Sequence, residues 1–139
     1  MKPYQIGYTT GVFDLFHIGH LNLLRRAKEQ CETLIVGVST DELVRAYKHH
    51  TPVIAFSERI AIVESIRYVD RVVAQETMDK CEAVRRLHAQ AVFVGSDWQG
   101  SAAWRTYERQ LRELDCAVVY LPHTDGVSST ALRGQVEKP

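Results

Sequence analysis

The chain has 139 residues, 45% of them apolar, with 17 basic and 17 acidic side chains and a formal net charge of zero. This fits one domain over residues 1–139 that buries its own core, and without any basic or acidic block it gives no sign of a nucleic-acid arm. Cys31, Cys81 and Cys116 are odd in number and lack C-x-x-C spacing, no apolar run reaches the roughly 18 residues of a membrane span, and MKPYQIGYTT has no signal-peptide apolar core; together these predict a cytoplasmic chain with reduced thiols as core filler, not a secreted scaffold, zinc ribbon or membrane protein.

Along the chain, short β-rich runs alternate with segments of helical period. QIGYTT precedes IGHLNLLRRAKEQ, TLIVGVS precedes SERIAIVESIRYV, and RVVAQ precedes DKCEAVRRLHA; AVFVGS then leads into AAWRTYERQLREL, and AVVYLP into STALRGQVE. The alternation predicts an α/β fold, a Rossmann-like doubly wound parallel five-stranded sheet with helices on both faces. The strand runs are nearly continuous in Val, Ile, Leu and Ala, as strands covered on both faces require. Helix starts are expected near Phe16, at Ser57, at Asp79 and at Ser128. The stretch RAYKHHTPVIAF has no clear period and contains Pro52, so it reads as a loop over a site.

In such sheets ligands lie beyond the carboxyl ends of the strands. Gly11, Asp14, His17 and His20 follow the first run. Gly95, Asp97 and Trp98 follow the fourth, and His123, Thr124, Gly126, Ser128, Ser129 and Thr130 follow the fifth. In a helix beginning near Phe16, the two imidazoles fall on one side of a first turn whose free N–H groups already favour anions. Gly19 would let a base or ribose approach the helix backbone, and Asp14 could orient an imidazole or help hold a cation. DGVSSTALR offers a second helix start, with Gly126 for the turn and three hydroxyls as phosphate partners. Two such starts on one rim suit a polyphosphate.

Each feature also has a plain structural reading. A pair of histidines three apart is as often structural as functional, the Ser-Ser-Thr run can be an ordinary cap, and Asp97 with Trp98 can be a turn at a core edge. Lys48, His49 and His50 can be a solvated loop, and Arg59 and Arg67 can be exposed. Zinc is disfavoured because no cysteine or further histidine recurs nearby at ligand spacing, although His49 and His50 could be recruited. G-x-G-x-x-G and the Walker lysine loop are absent. The joint placement at strand ends is what favours a site.

GVFDLFHIGH, SERIAIVESIRYVD, GSDW and HTDGVSST, in that order and spacing, resemble the cytidylyltransferase branch of the HxGH nucleotidyltransferases, in particular its bacterial glycerol-3-phosphate cytidylyltransferases. The likeness runs from about Tyr8 to Leu132. It implies a homodimer that joins CTP to a phosphorylated alcohol, foremost sn-glycerol 3-phosphate, giving CDP-glycerol and pyrophosphate, in cell-wall or capsule synthesis. By position the family's HxGH motif falls on His17, Ile18, Gly19 and His20, implying contacts to the CTP phosphates, and its nucleotide-binding turn falls on Val12 and Phe13. Its G-x-D-W aspartate falls on Asp97, implying recognition of the cytosine amino group, and its last motif falls on His123 through Thr130, with Val127 inside it. Loop lysines fall near Lys48, helix arginines on Arg59 and Arg67, and a later lysine on Lys80, and the resemblance implies that these four bind the acceptor.

The sequence departs from the family at Val12 (usually Thr), Ser96 (Asp), Ser129 (Thr), His50 (often Lys) and His123 (Arg). The last replaces a permanent forked cation by an imidazole. The resemblance implies in-line attack by the acceptor phosphate on the α-phosphorus, with His17, His20, Lys48 and Arg67 neutralising charge and Mg²⁺ bridging phosphate oxygens, Asp14 being its one candidate side chain. Alternatives are the same reaction on phosphoethanolamine, phosphocholine or a phosphonate, adenylyl transfer from ATP, and a nucleotide-sensing module without turnover.

Overall fold

The computed structural model describes residues 2–137. Five strands, β1 (Tyr4–Gly11), β2 (Cys31–Ser39), β3 (Arg71–Gln75), β4 (Ala91–Gly95) and β5 (Ala117–Leu121), form one sheet in the order β3-β2-β1-β4-β5. Every pairing is parallel. The helices are α1 (Ile18–Lys28), α2 (Asp41–Lys48), α3 (Phe56–Glu64), α4 (Lys80–Leu87), α5 (Ala102–Arg112) and α6 (Ser129–Glu137), with a turn of 3-10 helix at Ser96–Trp98. This is the doubly wound α/β sheet expected from the sequence.

The period of two along the strands sorts the core into two layers. Tyr8 stands in register with Ile35 and Val92, and these pack with Val84 and Leu87 of α4 and Trp104 and Leu111 of α5. On the other face Leu34, Val36, Val38, Ala91 and Phe93 meet Leu24 and Ala27 of α1 and Val63 of α3. The three cysteines are free and buried, divided between the layers. From β1 the chain winds outward to β2 and β3, then returns to place β4 on the other side of β1. The switch point therefore lies between the carboxyl ends of β1 and β4, where a crevice opens.

Local chemistry explains most boundaries. Asp79 caps α4 by accepting from the Cys81 and Glu82 N–H groups, and Ser128 caps α6 by accepting from Ala131, both as expected. The first helix starts at Ile18 with His17 as its N-cap, where the helical run from Ile18 places it. Two expectations are corrected. Ser57 caps nothing: α3 begins at Phe56 behind Ala55, which has no side-chain cap, and it ends at Glu64, where the Ser65 hydroxyl bonds back to the Ala61 carbonyl. Finally, the first part of the expected 45–56 loop is helical. Thr40 accepts from Leu43 N–H to start α2, Asp41 and Glu42 occupy its first turn, and His49 closes it in the left-handed region.

Candidate active site

The turn from β1 to α1 is unusual. Phe13 and Leu15 have φ of +56° and +51° on either side of Asp14, each costing on the order of 1–3 kcal/mol unless the surroundings enforce it. They do enforce it. The Asp14 carboxylate is buried and accepts from the N–H groups of Val53 and Ile54 at 2.8 and 2.9 Å. The Asp14 carbonyl accepts from the Ser129 hydroxyl, and the Val12 carbonyl accepts from Arg59 at 2.7 Å. Asp14 thus latches the 50s loop and α6 to the β1–α1 turn. Its oxygens point at the loop, where the sequence reading had them orienting an imidazole or holding a cation.

His17 and His20 form a reciprocal cap. The Gly19 N–H donates to His17 Nδ1 at 3.0 Å, and the His17 N–H donates to His20 Nδ1 at 3.2 Å. The rings stack with centroids 3.8 Å apart. A ring nitrogen that accepts from a backbone N–H carries no proton, so in each neutral imidazole the proton sits on Nε2. The capping role thereby leaves two Nε2–H donors. Burial, then the neighbouring His17, push His20 down to about 3 despite the Asp14 charge. Burial and then His123 lower His17. Both rings are neutral donors at pH 7, suited to phosphate oxygens. Gly19 serves this arrangement directly: a Cβ there would lie 2.9 Å from His17 Cε1 and 3.0 Å from Nδ1.

Three cavities open at this end of the sheet and share Lys48, two of them bordered by these rings. The first, about 390 Å³, is lined by Val12, Asp14, His20, Lys48, His50, Ser129, Thr130 and Arg133. The second, about 360 Å³, takes in His17, Gly19, His20, Gly95, Asp97, Trp98, His123, Thr124 and Val127 to Thr130. Both helix starts therefore open on one rim. The third, about 330 Å³, lies over β1 and β2 between Tyr47, Lys48, Met78, Lys80, Trp98, Trp104 and Tyr107. Lys48 lines all three. The residue as a whole is exposed, its Nζ 5.7 Å from the centre of the Tyr47 ring; partial burial, then Arg133, lower its pKa while Asp14 opposes them.

At the rim Asp97 and His123 face each other, Oδ1 to Nδ1 4.0 Å, both half-exposed. Gly95 makes room for this, since a Cβ would come 2.5 Å from Asp97 Oδ1. Gly126 has φ of +81° and turns the chain into α6.

Two arginines proposed from the sequence are placed elsewhere. Arg59 is 1% exposed, and its guanidinium donates to the carbonyls of Ile54, Val12 and Ser39 and to Asp41 at 2.7–2.8 Å. Four of its five N–H donors are engaged, so it holds the ends of β1 and β2 to the 50s loop, and it lines none of the cavities described above. Arg67 is exposed before β3, over the Tyr68 ring, and lines none of the cavities described above. Lys80 does face the third cavity. The reading from sequence missed Arg133, which follows Thr130 by three residues and returns to the same helix face, and it missed Trp104 and Tyr107, whose α5 spacing is that of an ordinary core helix.

A parallel sheet with a cleft at its switch point, walled by paired imidazole donors and two helix starts, defines a nucleotide-handling domain of nucleotidyltransferase type. The chain belongs to the cytidylyltransferase-like family, whose model matches residues 8–135, and is an enzyme of the cytidylyltransferase class. It is 37% identical over 129 residues to a glycerol-3-phosphate cytidylyltransferase of Bacillus subtilis, covering 92% of this chain and 94% of that one. It is 35% identical over 131 residues to an FAD synthase of Korarchaeum cryptofilum, covering 92% and 88%. The crystal structure of a lipopolysaccharide core biosynthesis protein from Thermoplasma volcanium shares the fold, with a TM-score of 0.72, 23% identity, and coverage of 87% of this chain and 97% of that one.

Proposed function

We propose that the enzyme transfers CMP from CTP to a phosphorylated alcohol, foremost sn-glycerol 3-phosphate, releasing pyrophosphate. The observation that carries this reading is the convergence of three cavities on Lys48, with two Nε2–H donors on one side and the start of α6 on the other. Base and ribose take the second cavity, between Asp97 with His123 and Gly19. The triphosphate tail takes the first, against His20, Lys48, Ser129, Thr130 and Arg133. The acceptor takes the third. Its phosphate oxygen then meets the α-phosphorus near Lys48; the new P–O bond forms as the α–β bridge breaks, and the leaving electron pair departs on pyrophosphate.

No covalent enzyme intermediate is needed. Rate comes from holding the reactants in line and from fixed donors aimed at oxygens that gain charge. Neutral imidazoles suit this because they donate without having to lose a proton. Magnesium is part of the proposal. Both Asp14 oxygens are engaged by backbone N–H groups, and no cluster of three metal-ligating side chains occurs among the described residues. Phosphate oxygens would therefore hold the ion, which supplies charge neutralisation. A homodimer and a cytoplasmic location complete the reading, the latter supported by three buried free thiols.

The test is a pyrophosphate-release screen with CTP and ATP against glycerol 3-phosphate, phosphoethanolamine, phosphocholine and flavin mononucleotide. His17→Ala should lower turnover on the order of 100- to 1000-fold while the fold persists; near-normal turnover would refute the assignment. A second reading, adenylyl transfer to a flat aromatic phosphomonoester, is favoured by the FAD synthase likeness and by the aromatic wall of the third cavity. Faster turnover with ATP would select it.

A further inference from the structure

Of the six histidines in the chain, four line the first two cavities, and they are of two kinds. The inner pair, His17 and His20, accepts backbone N–H groups through Nδ1. Each inner ring therefore presents an Nε2–H already, and could add a second proton only by breaking the cap. The outer pair, His50 and His123, is arranged the other way round. His50 Nδ1 lies 3.4 Å from the Thr51 carbonyl oxygen, and His123 Nδ1 faces the Asp97 carboxylate, 4.0 Å from Oδ1. A carbonyl and a carboxylate only accept, so the proton of each neutral outer ring belongs on Nδ1 and Nε2 is left as a bare lone pair.

A bare lone pair is the wrong group to set against a phosphate oxygen. One added proton turns it into a donor and the ring into a cation, and imidazoles gain that proton between about pH 5 and 8. The surroundings decide when. His50 borders the first cavity with Lys48 and Arg133, which oppose its protonation, and with Asp14, which favours it; His20 on the same wall is neutral, and His49 precedes it on the chain. His123 has Asp97 in its favour, from the 3-10 turn after β4. Against it stand Lys48 across the second cavity and Arg26 of α1, which donates to the Pro122 carbonyl one residue away. Asp125 follows on its own loop, and His17 of α1 is close enough to be lowered by it. Before a nucleotide enters, these influences oppose one another. A triphosphate brings several negative charges to both cavities at once and tips both rings towards the charged form.

We infer that His50 and His123 hold the nucleotide as imidazolium groups, so that nucleotide binding takes up protons from solution, up to one at each ring. This rests on the nucleotide filling the first and second cavities, as the proposed reaction has it. The inner imidazoles and the two permanent cations, Lys48 and Arg133, grip phosphate without such a gain; the outer pair makes the grip depend on acidity. Because the bound state carries more protons than the free one, affinity rises as pH falls, by up to about 10-fold per pH unit for each proton linked.

The test is calorimetric titration of the full chain with magnesium-saturated CTP, without acceptor, at pH 7.5 in two buffers of different ionisation enthalpy, which gives the protons taken up per nucleotide. The parent should take up about one in total. His50→Asn and His123→Asn should each remove a share, and the double variant nearly all. His123→Arg should keep the affinity at pH 7.5 while losing the His123 share. From pH 6.5 to 8 the affinity of the parent should fall about 10-fold, and that of the double variant by less than about 3-fold. No net uptake by the parent overturns the inference, as does uptake that survives unchanged in a folded double variant and so belongs to Lys48 or another group. The proposed reaction fails differently. A parent that takes up protons with CTP but releases no pyrophosphate with any acceptor sinks that reaction and leaves the linkage standing; turnover without proton uptake does the reverse, and absence of nucleotide binding sinks both.

Discussion

Replacing Arg59 by methionine separates two roles that the sequence alone confuses. The resemblance implies an acceptor-binding arginine, whereas the structure buries the guanidinium and engages it with three backbone carbonyls and Asp41. Methionine fills much of the stem volume but leaves those acceptors buried and unpaired. Each orphaned acceptor costs about 1–3 kcal/mol, and removing one partner of a buried ion pair costs about 3–5 kcal/mol. These figures overlap because the acceptors share one donor group, so the expected net loss is about 3–5 kcal/mol, against a whole-domain stability of roughly 5–15 kcal/mol. Urea unfolding followed by circular dichroism should show the midpoint falling by about 2 M at an unchanged slope of about 2 kcal/mol per M. Arg59→Lys should fall between, since a point-like ammonium cannot span four acceptors. For Asp41, burial acts to raise the pKa, but the bonds from Arg59 and Phe56 outweigh it and the net shift is downward. Its share of the stability is therefore complete above the ordinary carboxylate value of 3.8 and is lost as pH falls through the lower folded value. The gap between parent and Arg59→Met should shrink in that acid range. A variant within about 1 kcal/mol of the parent, yet unable to bind the acceptor, would refute the structural role.

Nitrogen NMR of His20 should report an Nε2–H tautomer that does not titrate near 6.5, because its pKa lies near 3. With His17 also lowered, the native state binds fewer protons than the unfolded chain, so stability holds above 6.5 and declines as pH falls towards 3; His20→Asn should flatten that decline in a thermal-unfolding series. Gly19→Ala drives a Cβ into the His17 ring, and should reduce kcat by about 10-fold or more with little effect on thermal stability; unchanged kcat would show that the ring need not stay where the cap holds it. Asp14→Ala frees the Val53 and Ile54 amides; hydrogen exchange should quicken at those two positions, with a stability loss of about 1–3 kcal/mol.

What the sequence showed and what it concealed divide along physical lines. Strand runs covered on both faces and helix caps such as Asp79 and Ser128 are local signals, and they placed the sheet and most helices. The α2 start was equally local, since Thr40 precedes Asp41 and Glu42, but the nearby His49, His50 and Pro52 drew the reading towards a loop. His17 and His20 were visible as a pair; that each ring caps the helix through Nδ1, and is thereby left with its Nε2–H as donor, depends on a backbone geometry that spacing does not reveal. Arg59 and Lys80 show the limit most clearly. Both are buried cations at helix positions where exposure is the usual expectation. One is engaged by backbone carbonyls from three segments and by Asp41, and the other is held by rings from α5 and makes no ion pair with a described residue. What distinguishes the structural cation from the ligand-seeking one is the partner each meets across the fold. The search for ligand contacts in a chain of this kind therefore begins with buried charges that lack a counter-charge, and only then turns to motif positions.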